Sequence, residues 1–194
     1  MTQAPANGDT AGTRCFLALL PNAASGDGLR CIRDASTNST AAARGLRWID
    51  AASLHLTLRF FEAATPAQVE YLKHMLPMLA CAMPATTGRR CAIWPNRACP
   101  RLLVLELDAP DPLLALAREC EALAQKAGFN PEPRAFKAHL TLARLRPGCI
   151  PEMPSVPMPP IAFESLALIA SDLQATGARY RSLASIALPA PAKT

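Results

Sequence analysis

Histidine is scarce in this chain: three occur, His55, His74 and His139. Charged residues are few as well, at 18%. No apolar run approaches the roughly 20 residues that a membrane-spanning helix needs, so no such span is expected. With 51% hydrophobic residues the balance is that of a globular chain rather than a disordered one. Seven cysteines are present, an odd number, and no CxxC pair occurs among Cys15, Cys31, Cys81, Cys91, Cys99, Cys120 and Cys149. A disulfide framework is not expected from that pattern, and a structural zinc site finds no clustered thiolates or imidazoles. Most of the cysteines read as small buried hydrophobes. The opening MTQAPANGDTAGTR lacks a charged stretch followed by an apolar one, so it does not read as a secretory signal, and a cytoplasmic location is expected. Lysine is sparse against arginine, which supplies sixteen of the twenty basic residues. The planar guanidinium fork suits phosphate, and a net charge of +5 fits an anionic partner such as nucleic acid.

What is present organises into one domain. The 194 residues can bury a substantial core. Residues 1–13 and 189–194 read as tails, the first disordered, around a single bilobed unit at 14–188. RCFLALL (14–20) is a buried strand, and the Ala-rich 23–43 a possible helix weakened by Gly26 and Gly28. LRWI (46–49) and LHLTLRFF (54–61) read as strands. Thr65, Pro66 and Gln68 start a helix as N-cap, N1 and N3, running to about Met83. RCAIW (90–94) and RLLVLEL (101–107) are strands. A helix begins at Asp111-Pro112 and ends at Gly128. FKAHLTLARL (136–145) is a strand, 147–160 a loop with six prolines, and FESLALIAS (163–171) and ARYRSLASIAL (178–188) a closing pair of strands. Strand, helix and an HLTL strand thus occur twice. The expected fold class is α+β: two pseudo-symmetric lobes of antiparallel sheet with outer helices around a central cleft.

Two of the three histidines open the same letters, HLTL, at 55–58 and 139–142. On a strand alternate side chains share a face, so His55 and Thr57 point one way and Leu54, Leu56 and Leu58 the other. His139 and Thr141 stand likewise against Leu140 and Leu142. Two lobes facing each other would offer two imidazoles and two hydroxyls to a phosphate. One histidine can take a proton from the attacking oxygen while the other gives one to the leaving oxygen, and the threonines can donate to non-bridging oxygens. That scheme asks for no metal or other cofactor. A single His-x-Thr on a strand is usually structural; the repetition at equivalent places is what points to chemistry. His74, in YLKHML, reads as a surface or boundary residue.

The paired motif resembles the two-histidine phosphoesterases, most closely their RNA 2′,3′-cyclic phosphodiesterase branch, once called 2′-5′ RNA ligases. The resemblance runs from about Arg14 to Leu188 and rests on RCFLALLP, RWIDAASLHLTLRFF, FKAHLTLAR and SDLQATGARYRSLASIAL. It implies a bilobed fold, no metal, and hydrolysis of RNA 2′,3′-cyclic phosphate ends to 2′-phosphates. The family's longer motifs, HxTxxF and HxTxxR, fall here on His55, Thr57, Phe60 and on His139, Thr141, Arg144. The resemblance makes His55 the general acid toward O3′, His139 the base that activates water, Arg144 a phosphate clamp and Phe60 a platform for the terminal base.

Strand parity does not support the last two assignments, because a five-residue step lands on the opposite face unless a bulge intervenes. Arg59 has the right parity and is a competing phosphate contact, or else a salt-bridged wall residue. Other activities stay open: action on small cyclic phosphates, transesterification including 2′-5′ ligation, or a non-catalytic module that binds RNA ends. The expected partner is an RNA with a cyclic phosphate end, with no membrane, and the expected state a monomer.

Overall fold

In the computed structural model, which describes residues 12–37, 45–151, 153, 157–158, 160–174 and 177–190, the first apolar run becomes β1 (Thr13–Pro21). Cys15, Phe16, Leu17, Ala18 and Leu19 are all buried, as a strand packed on both faces must be. It lies between β3 (Leu56–Ala64) and β8 (Phe163–Gln174), antiparallel to each, and β9 (Gly177–Ala187) completes a sheet of order β3-β1-β8-β9. The second sheet runs β2 (Leu46–Trp48), β6 (His139–Leu145), β5 (Pro100–Leu107), β4 (Thr86–Pro95), β7 (Pro160–Ile161). Its pairings are antiparallel throughout.

The two faces of β1 do different things. Cys15, Leu17 and Leu19 join a core that spans both sheets and the helices. Phe16 and Ala18 point the other way, into a small cluster with Ala167 and Ile169 that Leu20, Phe60 and Tyr180 flank. Among the described residues three helices contribute buried side chains to the larger core: α1 (Ala23–Thr37), α2 (Pro66–Met75) and α3 (Asp111–Lys126). On α3 the buried Leu113, Leu116, Cys120 and Leu123 recur at helical spacing and fix the face it presents. Gly128, at φ +87°, ends that helix region.

The start of α2 is a complete capping box. The Gln68 backbone N–H donates to Thr65 Oγ1 (3.2 Å), and the Thr65 N–H donates to Gln68 Oε1 (2.9 Å). The helix stops at Met75, short of Met83, and continues as a 3-10 turn over Leu76–Leu79. Pro77 has no N–H to give back to the preceding turn, which ends the α-helical ladder. Two further differences concern strands: β4 begins four residues before Arg90, and the proline-rich segment ends in β7, which pairs with Thr86 and Thr87. Of 23–43, residues 23–37 are helical, and the remainder lies outside the described residues, as do 1–11 and 191–194, where most of the two expected tails fall. The cysteines are less buried than expected: Cys15, Cys91 and Cys120 are buried, Cys81 and Cys149 half-buried, and Cys31 and Cys99 exposed. Among the described residues no helix is long and apolar enough to cross a membrane.

The repeat is visible in the topology. β1, α1 and β3 follow the same course as β5, α3 and β6, and the sheet orders β3-β1-β8-β9 and β6-β5-β4-β7 match strand for strand. Among the described residues β2, on the edge beside β6, has no counterpart in the first sheet.

Candidate active site

Each HLTL motif places its histidine at the start of a strand. β3 begins at Leu56, so His55 stands one residue before it, after a 3-10 turn at Ala51–Ser53; β6 begins at His139 itself, three residues later than the strand expected from Phe136. The two rings are mounted alike. His55 Nδ1 lies 2.7 Å from the Ser53 carbonyl oxygen, and His139 Nδ1 lies 2.7 Å from the Lys137 carbonyl oxygen. A carbonyl can only accept, so each Nδ1 carries the proton and donates it. Nε2 is then the nitrogen with a lone pair in the neutral ring. Aromatic neighbours hold both rings in place. His55 stacks on Phe16 (centroids 4.7 Å apart, planes at 29°) and meets Tyr180 edge-on at 5.1 Å. His139 lies 4.3 Å from the Trp94 ring.

Thr57 and Thr141 follow half-buried, while Leu56, Leu58, Leu140 and Leu142 are buried. The register then breaks in both strands at the same letter. On β3, Thr57 pairs with Ala18 and Arg59 with Leu17, leaving Leu58 as the extra residue. On β6, Thr141 pairs with Val104 and Ala143 with Leu103, leaving Leu142 extra. Each bulge reverses the parity of the residues beyond it. Phe60 therefore lands opposite Phe16 and stacks near it at 6.2 Å, on the cleft face. Arg144 enters a recess of about 250 Å³ with Arg47, Trp48, Ile49, Asp50, Ser53, Ala178 and Tyr180.

The two motifs exchange partners across the cleft. Arg144 of the second shares its recess with Ser53, whose carbonyl holds His55. Phe60 and Thr57 of the first line a larger cavity of about 1000 Å³ with His139, Trp94, Phe136 and Arg118.

Arg59 is not a free phosphate contact. Its side chain is only 10% exposed and pairs with Glu121 (Nε to Oε2, 2.6 Å) and Glu132 (Nη1 to Oε2, 3.4 Å). The Glu121 contact is close but off the N–H axis, so it acts as an ion pair and not as a hydrogen bond. The guanidinium also donates to the Phe60 and Asn130 carbonyls, each at 2.7 Å. Arg59 is a wall residue that joins β3 to α3 and to the segment after it. His74 is exposed on α2.

Burial pushes both motif histidines below the ordinary imidazole range. The bond to the Ser53 carbonyl opposes this at His55, while the charges of His139 and Arg144 push the same way as burial. At His139 the Lys137 carbonyl and Glu106 both oppose the burial effect. Glu106 sits opposite His139 in the β5–β6 register. It accepts from Arg90 Nε (2.8 Å) and Trp94 Nε1 (3.1 Å), and the Arg90 bond in particular holds it below the usual carboxylate range. Sequence reasoning missed Phe16, Tyr180, Trp94 and Glu106. Their only sequence signal was membership of strands, and which strands adjoin the motifs is a matter of topology. Among the described residues no three His, Cys, Asp or Glu side chains cluster as metal ligands.

Comparison with known proteins bears on the family and the fold. A family model described as LigT like Phosphoesterase matches residues 105–180, which include the second motif. A curated RNA 2′,3′-cyclic phosphodiesterase of Bacillus subtilis (strain 168) is 29% identical over 100 residues, 50% of this chain; the match spans only 55% of that protein. Among solved structures, TT0787 of Thermus thermophilus superposes with a TM-score of 0.72 at 24% identity, covering 91% of this chain and 98% of that one. E. coli LigT complexed with 3′-AMP gives 0.70 at 22% identity with the same coverage, 91% and 98%. These two likenesses establish the fold. The family model over residues 105–180, the curated relative over half of the chain and the shared fold are all similarities to LigT-like phosphoesterases.

Proposed function

We propose that this chain hydrolyses 2′,3′-cyclic phosphates at RNA ends to 2′-phosphomonoesters, by proton transfer between His55 and His139. The observation that carries the reading is the shared mounting of the two rings: each gives its Nδ1 proton to a carbonyl two residues upstream. Two Nε2 atoms on equivalent strands of two sheets are thereby reserved for proton transfer. One takes a proton from water as its oxygen attacks phosphorus; the other gives a proton to O3′ as the P–O3′ bond breaks. The pair ends each turnover with its protons exchanged and resets through solvent. The Thr57 and Thr141 hydroxyls suit the non-bridging oxygens and the Arg144 guanidinium suits the phosphate charge. Phe60 offers a face to the terminal base. The choice of RNA leans on the resemblance and on the name of the Bacillus relative.

On this reading His55 is the acid and His139 the base. A second reading reverses them, and a specific observation favours it: Glu106 supports the His139 cation, while Arg144 disfavours that of His55. A bound phosphate monoanion would offset Arg144 and restore the first order. The test of function is incubation of the pure protein, in EDTA, with an RNA oligomer ending in a 2′,3′-cyclic phosphate. A 2′-phosphate product is expected, and cyclic mononucleotides run alongside report substrate size. Tight binding without turnover would make the chain an RNA-end binding module instead.

A further inference from the structure

The small recess beside His55 contains an arrangement that a sheet avoids. Arg47 on β2 and Arg144 on β6 are direct cross-strand partners. Residues opposite each other in an antiparallel pair project to the same face, and like charges placed so destabilise the sheet. Elsewhere in this sheet the chain resolves the same problem: Arg90 stands opposite Glu106 and pairs with it at 2.8 Å. Among the described residues neither Arg47 nor Arg144 has an ion pair, and Asp50, which also lines the recess, pairs with neither. Arg47 is carried by β2, a strand that among the described residues has no counterpart in the other lobe. The departure from two-fold symmetry therefore adds a second guanidinium beside Arg144, while on the other side the Arg14 guanidinium lies over the Phe60 ring, 4.5 Å from its centroid.

We infer that Arg47 and Arg144 form a two-guanidinium site for a doubly charged phosphate, which makes Arg47 a second phosphate-binding residue. The inference rests on the proposed reaction for its role in turnover, and on the geometry alone for the anion site. A cyclic phosphodiester carries one negative charge. Attack by water with loss of its proton to a histidine raises the phosphorane to two. Protonation of O3′ then releases a monoester, which ionises again with a second pKa near ~6. Two mutually repelling cations gain most from the doubly charged species, so they stabilise what forms during reaction over the substrate that enters. The recess, about 250 Å³, falls below the roughly 300–1,000 Å³ of sites that enclose a whole small molecule, which suits a phosphate group rather than a nucleoside.

The test compares two anions by calorimetry at about pH 8, roughly two units above the phosphomonoester's second pKa: inorganic phosphate, mostly doubly charged there, and dimethyl phosphate, singly charged. In Arg47→Ala the affinity for inorganic phosphate should fall by about tenfold or more, the usual scale for a lost charged hydrogen bond. Dimethyl phosphate affinity should change much less, and Arg47→Lys should recover part of the loss. The thermal midpoint of Arg47→Ala should hold or rise, since a repulsion is relieved. With an RNA substrate the loss should fall on kcat more than on KM. Equal losses for both anions, or none, overturn the inference. Phosphate binding is read without turnover, so absence of RNA hydrolysis would refute the proposed function and leave this site standing. RNA hydrolysis with no phosphate discrimination would do the reverse.

Discussion

Leu58 and Leu142 are the same residue twice: each is the unpaired member of a β-bulge, one place after a motif threonine. The repeated letters therefore specify more than a histidine and a hydroxyl. The fourth letter sets the face of the side chain two places on, Phe60 in one lobe and Arg144 in the other. Both leucines stay buried, at 8% and 3% exposure, so each bulge is anchored by the core behind it.

The bulge separates two arginines that sequence parity confuses. Arg144→Lys should lose most activity, because an ammonium cannot bind two phosphate oxygens in a planar fork. Arg59→Ala should act on folding, leaving Glu121 and Glu132 without their shared cation. The expected destabilisation is about 1–3 kcal/mol, below the full cost of breaking a buried pair because both carboxylates keep some water. Chemical denaturation and turnover measured on the same two variants check the assignment. Full activity in Arg144→Lys together with a stable, inactive Arg59→Ala would hand the phosphate to Arg59.

His55→Ala and His139→Ala should each slow turnover by ~10²-fold or more, the usual range for losing a general acid or base. His74→Ala should change nothing, since that ring is exposed on α2. Steady-state rates on a cyclic-phosphate RNA decide it, and a His74→Ala loss as large as the others would contradict the two-motif site.

Much of the fold and site is legible in the letters, for a physical reason. HLTL alternates cleanly, so the strand, its core face and its polar face all follow from period two. The capping box at Thr65 and the glycine stop at Gly128 are local chemistry and read directly. What the letters do not show is pairing: that Glu106 stands opposite His139, that Arg47 stands opposite Arg144, and that Tyr180 packs against His55 from a strand more than a hundred residues away. Bulges are equally silent, because an extra residue is defined only against a partner strand. The short stop of α2 is the exception. Pro77 is local chemistry too, and it marks the end of the helix in the sequence itself.

The lowered pKa values of His55 and His139 also carry a stability signature. A histidine whose folded pKa lies below its unfolded value binds fewer protons when folded. Stability should then be full above the ordinary value near ~6.5 and decline as pH falls below it, toward the folded pKa values. Thermal midpoints taken from pH 7.5 to 5 should drop more steeply in the wild type than in a His55→Gln, His139→Gln double variant. Parallel curves would show that neither ring is buried enough to matter.

Glu106 offers the sharpest test of which ring is the base. Its carboxylate faces His139 and supports the imidazolium, so Glu106→Gln should lower the His139 pKa further, with little effect on His55. Its amide oxygen can still accept from Trp94, which keeps the aromatic neighbour of His139 in place. With an ordinary substrate both rings shape the pH profile, and the limbs belong to the coupled pair. A phosphodiester with a leaving group that needs no proton removes the acid from the problem. Its rate should rise with pH through the pKa of the base alone. If His139 is the base, Glu106→Gln should move that single limb to lower pH, and the same substrate should rescue His55→Ala but not His139→Ala. If the limb stays put and the rescue falls on His139→Ala, then His55 is the base and the proton crosses the cleft the other way, with the fold and the roles proposed for Arg47 and Arg144 unchanged.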